Sequence, residues 1–150
     1  MSESPSPLEV LIVEDDPQDV ELIVDALERQ HLDGRRYVAR DGVEALDILF
    51  GSRTLAQPRL ILLDLKLPKV DGFEVLRRIR IGDRMRSTPV VVLTSSAVEE
   101  DIETAYALGA NSYIVKPMQY ESFMKIVGEV GVYWLQVNRS PIASDGQIAR

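Results

Sequence analysis

Three carboxylates, a hydroxyl and an amine stand out because each sits at the end of a short apolar run. Glu14 and Asp15 follow Val10-Leu11-Ile12-Val13, and Asp64 follows Leu60-Ile61-Leu62-Leu63. Thr94 closes Val90-Val91-Val92-Leu93, and Lys116 follows Ser112-Tyr113-Ile114-Val115. Carboxylates gathered closely repel one another and resist ionising together. A hard divalent cation removes that conflict, and oxygen ligands without His or Cys suit Mg²⁺, with Mn²⁺ as the alternative. Mg²⁺ takes few protein ligands besides water and phosphate oxygens, which leaves one carboxylate to act as a nucleophile. Thr94 and Lys116 would hold the other oxygens of a transferring phosphoryl group. Singly, each residue has a plainer reading: acids after a strand are often helix caps, and a Thr or Lys at a strand end is ordinary. The combination is what points to chemistry, because matched groups fall at the expected strand ends.

The elements that must position these groups alternate along the chain. Apolar runs at 10–13, 60–63 and 90–93 suit strands buried on both faces, with weaker strands at Tyr37-Val38-Ala39 and Ser112 to Val115. Asp16 reads as an N-cap with Pro17 at the first helical position, and Val20, Ile23, Val24 and Leu27 form a helical stripe. Further helices are expected over Val43 to Phe50, around Phe73, Leu76 and Ile79, from about Val98 to Leu108, and from near Tyr120. Gly109 is expected to stop the fourth helix. Five strands alternating with five helices predict an α/β, doubly wound, mainly parallel sheet. In such a sheet ligands bind beyond the C-terminal ends of the strands, where all the groups above collect.

Composition narrows the function classes. The 150 residues suit one domain, with 45% hydrophobic and 27% charged residues. The net charge of −7 argues against unspecific binding to nucleic acid or anionic membranes, and the absence of cysteine removes disulfides and thiolate chemistry. No apolar run approaches a membrane span and no signal peptide is legible, so a cytoplasmic protein is expected. Residues 1–7 are expected to be a disordered start, 8–136 the domain, and 137–150 a mobile tail too short for an output domain.

At these residues the sequence resembles the receiver domains of two-component response regulators. The motifs are Leu11-Ile12-Val13-Glu14-Asp15-Asp16, Leu62-Leu63-Asp64-Leu65-Lys66-Leu67-Pro68, Asp71-Gly72, Leu93-Thr94-Ser95-Ser96, Leu108-Gly109-Ala110 and Val115-Lys116-Pro117. The resemblance spans about Leu8 to Gly131 and implies a flavodoxin-like (βα)5 fold of strand order 2-1-3-4-5. It implies Asp64 as phosphoacceptor, Asp15 as a direct metal ligand, Glu14 acting through a metal-bound water, and the Lys66 backbone carbonyl completing the protein ligands. Lys116 is implied to pair with the phosphoryl group through a cis bond to Pro117. Thr94 and Tyr113 are implied as the switch pair, although Tyr113 has the plain reading of an edge-strand aromatic. Lys66 and Ser96 are implied to tune dephosphorylation.

A narrower similarity joins the chain to single-domain regulators associated with bacterial and cyanobacterial phytochrome kinases. It rests on Asp41-Gly42-Val43-Glu44-Ala45-Leu46, the link Gly82 to Thr88, Glu99-Glu100-Asp101-Ile102 after Thr94-Ser95-Ser96, and Tyr133-Trp134-Leu135. The implied partner is a sensor histidine kinase of that type. The implied activity is a phosphoacceptor switch that promotes its own phosphorylation and dephosphorylation, signalling through the fourth helix, fifth strand and fifth helix. Alternatives are a phosphate sink, a binding-only receiver or flavodoxin-like carrier, and an aspartyl-phosphate phosphatase of the haloacid dehalogenase kind. The last wants an Asp where Lys66 stands.

Two surfaces remain. Phe123, Ile126, Val127, Val130 and Trp134 keep core spacing in the last helix, while Val132, Tyr133, Leu135 and Val137 fall off that stripe. These off-stripe residues with Trp134 are either extra packing or a homodimer seam, with Val132, Tyr133, Trp134 and Leu135 as candidates. Arg77, Arg78, Arg80, Arg84 and Arg86 are expected to be a solvated helix face rather than a nucleic-acid site.

Overall fold

The computed structural model describes residues 8–51 and 57–141. Strands β1 (Leu8–Val13), β2 (Arg35–Ala39), β3 (Leu60–Leu63), β4 (Val90–Thr94) and β5 (Ser112–Val115) form one sheet of order β2-β1-β3-β4-β5. Every neighbouring pair is parallel. Between and after them run α1 (Pro17–Arg29), α2 (Gly42–Phe50), α3 (Gly72–Ile81), α4 (Glu99–Ala107) and α5 (Tyr120–Val132). The doubly wound fold and its strand order are those expected.

Alternation along the central strands divides the core in two. Leu11, Val13, Ile61, Leu63, Val90 and Val92 face α2, α3 and α4 through Ile48, Leu76, Ile79 and Ala105. Val10, Ile12, Leu60, Leu62, Val91 and Leu93 face α1 and α5 through Ile23, Leu27, Phe123 and Val127. Strands covered on both sides read as unbroken apolar runs, which is why four residues suffice to mark β3. Each crossover leaves a strand end, makes a tight turn and starts a helix. Asp16 caps α1 by accepting from the Gln18 amide at 2.9 Å, with Pro17 at the first helical position. Asp41 and Asp71 cap α2 and α3, each accepting from the amide three residues on. Gly109 ends α4 with φ 107°, a conformation that only glycine adopts without strain.

Three expectations need correction. Leu135 is not available to a seam, because it is buried in the α1/α5 half of the core. After Val132 the helix widens into a π turn over Tyr133–Val137, closed by the Asn138 amide on the Tyr133 carbonyl. The wider turn shifts the inward face by one residue, and Arg59 ties it down by donating to the Leu135 carbonyl at 3.0 Å. Val137 accordingly belongs to this turn rather than to the tail, of which residues 142–150, like 1–7, lie outside the described residues. Among the arginines only Arg80 departs from the expected solvated face, since Arg77, Arg78, Arg84 and Arg86 are exposed. Arg80 is half-buried and donates to the carbonyls of Gly109 and Met85 and to Asn111 Oδ1, while Arg84 donates to the Leu49 carbonyl. Arg77 and Arg86 pair with Glu74 and Asp83 in their own turns.

His31 closes α1 in a left-handed conformation (φ 59°), with its amide and that of Leu32 returning to the Glu28 and Leu27 carbonyls. A side chain there costs about 1 kcal/mol against glycine, and His31 is exposed without a packing role. His31→Gly should therefore raise stability by about 0.5–1 kcal/mol. A higher urea midpoint at unchanged slope is the expected reading.

Candidate functional site

Because β1 leads to β2 on one side and β3 lies on the other, the chain reverses direction between β1 and β3. The turns leaving these strands diverge and open a crevice. Glu14 is fixed there by its amide on the Ala39 carbonyl (2.9 Å), and Asp64 by its amide on the Val13 carbonyl (3.0 Å). Glu14, Asp15 and Asp64 each offer a carboxylate oxygen within 4.8 Å of the others. Glu14 and Asp64 are buried while Asp15 faces solvent. This oxygen-only donor set, open to water on one side, fits a hard divalent cation.

Lys116 reaches the same crevice from the end of β5. Its Nζ lies 2.8 Å from Glu14 Oε1, 2.7 Å from Asp19 Oδ2 and 3.0 Å from Asp64 Oδ2. Three acids match the three protons of an ammonium group. The other oxygens are held by backbone: Glu14 Oε2 accepts from the Asp16 amide at 3.1 Å, and Asp64 Oδ1 from the Lys66 amide at 3.2 Å. Thr94 lies at the end of β4, fully buried, and its hydroxyl has no hydrogen-bond partner. An orphaned hydroxyl in a buried polar site is costly unless a ligand oxygen can use it.

Charge in the crevice is finely set. Burial, with the nearby charge of Asp64, pushes the Glu14 carboxyl up to about 7 despite its hydrogen bond to Lys116. Burial alone would lower the Lys116 ammonium, but hydrogen bonds to Asp19 and Glu14 and the charges of Asp64 and Glu14 outweigh it and hold its pKa above the ordinary range. One ammonium thus lies within hydrogen-bonding reach of three acids.

The loop after β3 shapes the crevice. The Gly72 amide bonds the Leu65 carbonyl at 2.9 Å, and a Cβ at Gly72 would collide with the Asp64 carbonyl oxygen and the Leu65 Cα. The Asp71-Gly72 pair therefore caps α3 and lets the loop close against the Asp64 backbone. On the other side, the Lys116 amide bonds the Thr94 carbonyl at 2.7 Å. Tyr113 turns inward, packs beside the core and donates its hydroxyl to the Ser96 carbonyl at 2.9 Å, so it is no plain edge aromatic.

The structure brings Glu14, Asp15, Asp64 and Lys116 together, with the Lys66 amide on Asp64, and it places Thr94 at the adjoining strand end. One expectation is altered. The Lys116–Pro117 bond is trans, and no cis peptide occurs among the described residues. Trans is the intrinsically favoured isomer, and with it the ammonium already reaches all three acids. The Ser96 hydroxyl is buried, donates to Asp101 Oδ2 at 2.6 Å and accepts from the Val98 amide at 3.3 Å, while the Lys66 side chain is exposed. Asp19 joins the site although no sequence motif marks it, and Asp101, from the quoted Glu99-Glu100-Asp101-Ile102 run, joins through Ser96. A signal exists for Asp19: the first turn of α1 starts at the edge where β1 ends, so its third residue faces the strand ends.

The Glu14 shift has a consequence for stability. A carboxyl raised from 4.5 to about 7 on folding contributes stability that is full below pH 4.5 and lost as pH rises through about 7. Without divalent cation, Glu14→Gln should match the parent in melting temperature at low pH and gain on it progressively up to neutrality. Adding Mg²⁺ should narrow that gap by stabilising the parent more than the variant, with thermal melts across the pH range as the measurement.

Comparison with known proteins agrees with this geometry. Residues 10–128 match the family model described as response regulator receiver domain. The chain is 46% identical over 143 residues to the probable methanogenesis regulatory protein FilR2 of Methanothrix harundinacea (strain 6Ac), covering 93% of this chain and 91% of that protein. The crystal structure of the phosphorylated cyanobacterial phytochrome response regulator RcpA is similar at TM-score 0.83 and 35% identity, over 92% of this chain and 99% of that one. The Mn²⁺-bound form of response regulator Rcp1, a protein of Synechocystis, is similar at TM-score 0.82 and 35% identity, over 91% and 99% of the two chains. With the family model matched over residues 10–128 and the fold shared with these relatives over nearly the whole chain, the chain belongs to the response regulator receiver domain family.

Proposed function

We propose that this receiver is a phosphorylation switch in which Asp64 accepts a phosphoryl group from a sensor histidine kinase. The observation that carries the reading is the set Glu14, Asp15, Asp64 and Lys116 in one crevice beside the unpartnered hydroxyl of Thr94. Glu14, Asp15, Asp64 and the Lys66 carbonyl would hold Mg²⁺, or Mn²⁺ in its place. The bound cation offsets the charge of the acids and of the incoming phosphoryl oxygens. A carboxylate oxygen of Asp64 forms a bond to phosphorus as the bond from phosphorus to the donor's imidazole nitrogen breaks. Lys116 and Thr94 give the phosphoryl oxygens an ammonium and a hydroxyl, which stabilises charge during transfer and in the product. Lys66 and Ser96 set how long the product lasts. We take the donor to be a kinase of the phytochrome type and the setting cytoplasmic, in keeping with the similarity to RcpA.

Output leaves through α4, β5 and α5. Val98, Tyr106, Val115, Met118 and Tyr120 are exposed apolar residues along these elements, an arrangement that favours a protein partner over solvent. Tyr113 connects this face to the site through its bond to the Ser96 carbonyl, two residues beyond Thr94. A second copy of the chain is the partner we favour. Tyr133 and Val137 extend the apolar surface, with the Tyr133 ring set edge-on to Trp134 at 5.0 Å.

Acetyl phosphate with Mg²⁺ should add one phosphoryl group to the intact mass. The adduct should vanish in Asp64→Asn and in the presence of chelator. No adduct on the parent protein under conditions where it binds Mg²⁺ would favour a binding-only receiver. Sedimentation at high micromolar concentration should show a dimer, and a monomer both with and without acetyl phosphate would remove the seam.

A further inference from the structure

Asp19 is a third acid on Lys116 that stands outside the candidate metal ligands. It projects from the first turn of α1, and its Oδ2 lies 2.7 Å from Nζ, compared with 2.8 Å for Glu14 and 3.0 Å for Asp64. The group of acids able to share a cation comprises Glu14, Asp15 and Asp64. Two of the three acids on Lys116 are therefore also candidate ligands, and the ammonium occupies oxygens that a divalent cation would need. Two positive charges cannot share the same pair of carboxylates without mutual repulsion.

We infer that Asp19 is a positioning residue, a reserve anion that keeps Lys116 at the crevice while Glu14 and Asp64 are committed to the metal. The inference rests on the phosphoacceptor reading of the site and adds to it a residue from α1. Asp19 is only one-fifth exposed, so its carboxylate interacts with the ammonium in a partly water-excluded setting rather than across open solvent. Its anchoring is local and rigid, because Asp16 caps the same turn and Pro17 sets its backbone. With Asp19 neutral, Lys116 has only Glu14 and Asp64 as anions, and it competes with the metal for both. Asp19 thus governs metal affinity through Lys116 and not by direct ligation.

The test is a double-mutant cycle read by calorimetric titration of the phosphate-free protein with Mg²⁺. Asp19→Asn should raise the Mg²⁺ Kd roughly three- to ten-fold, in the lower part of the range of coupling seen within one salt-bridge network. Asp19→Glu, which restores a carboxylate on a longer arm, should recover most of the loss. In a Lys116→Gln background, Asp19→Asn should change Kd by less than about two-fold. An equal or larger loss in that background would mean that Asp19 acts on the metal by its own charge, and the inference falls. It also falls if Asp19→Asn leaves the parent Kd unchanged. If Lys116→Gln does not fold, recovery by Asp19→Glu decides, since failure to recover overturns the positioning role. None of these readings requires phosphoryl transfer, so a parent protein that binds Mg²⁺ but takes no phosphoryl group would defeat the phosphoacceptor reading alone.

Discussion

A single ammonium group holds the working end of this molecule together. Lys116 arrives from the last strand and meets carboxylates from β1, α1 and β3, at 2.8, 2.7 and 3.0 Å. Glu14 and Asp64 are nearly withdrawn from water, and buried like charges of this kind are tolerated only when paired or neutralised. With the ammonium in place the crevice remains anionic by a margin, which is the state that attracts a divalent cation. The position of Lys116 is itself a product of the sheet, since its amide is held on the Thr94 carbonyl by β4–β5 pairing. Sheet register, ion pairing and affinity for a cation are thus one constraint seen at three scales.

The same end of the sheet is where hydrogen bonds link the site to the α4 and β5 surface. Thr94 ends β4 inside the crevice, and the loop that follows turns back so that the Ser96 hydroxyl meets Asp101 on α4 and its carbonyl meets Tyr113 on β5. The loop after Thr94 is thereby bonded to both α4 and β5. Interfaces and packed side chains of this kind move between discrete arrangements rather than deforming smoothly. On the opposite side, Gly72 lets the β3–α3 loop close against the Asp64 backbone.

Much of this arrangement is legible in the amino-acid sequence. Strand runs such as Leu60-Ile61-Leu62-Leu63 are unambiguous because a strand covered on both faces has no polar position to break the pattern. Asp16-Pro17 and Gly109 are legible because caps and helix stops are decided by the local backbone. The convergence of Glu14, Asp15, Asp64, Thr94 and Lys116 follows from the rule that parallel strands present their C-terminal ends together. Asp19 does not stand out, because an acid in the first turn of a helix already has a sufficient local reason to be there. Arg80 reads as a solvent cation because its carbonyl partners on Met85 and Gly109 carry no signature in the side-chain sequence.

The types of the groups in the crevice, and the strand ends that carry them, were determined by the sequence alone. Apolar periodicity and capping act over a few residues and leave their mark in order along the chain. Only the tertiary structure decided the pairing of Lys116 with Asp19, the inward turn of Tyr113 onto Ser96 and the burial of Leu135 through a π turn. These depend on side chains distant in the sequence meeting at about 3 Å, or on a one-residue change of helical phase, and neither is encoded by local pattern.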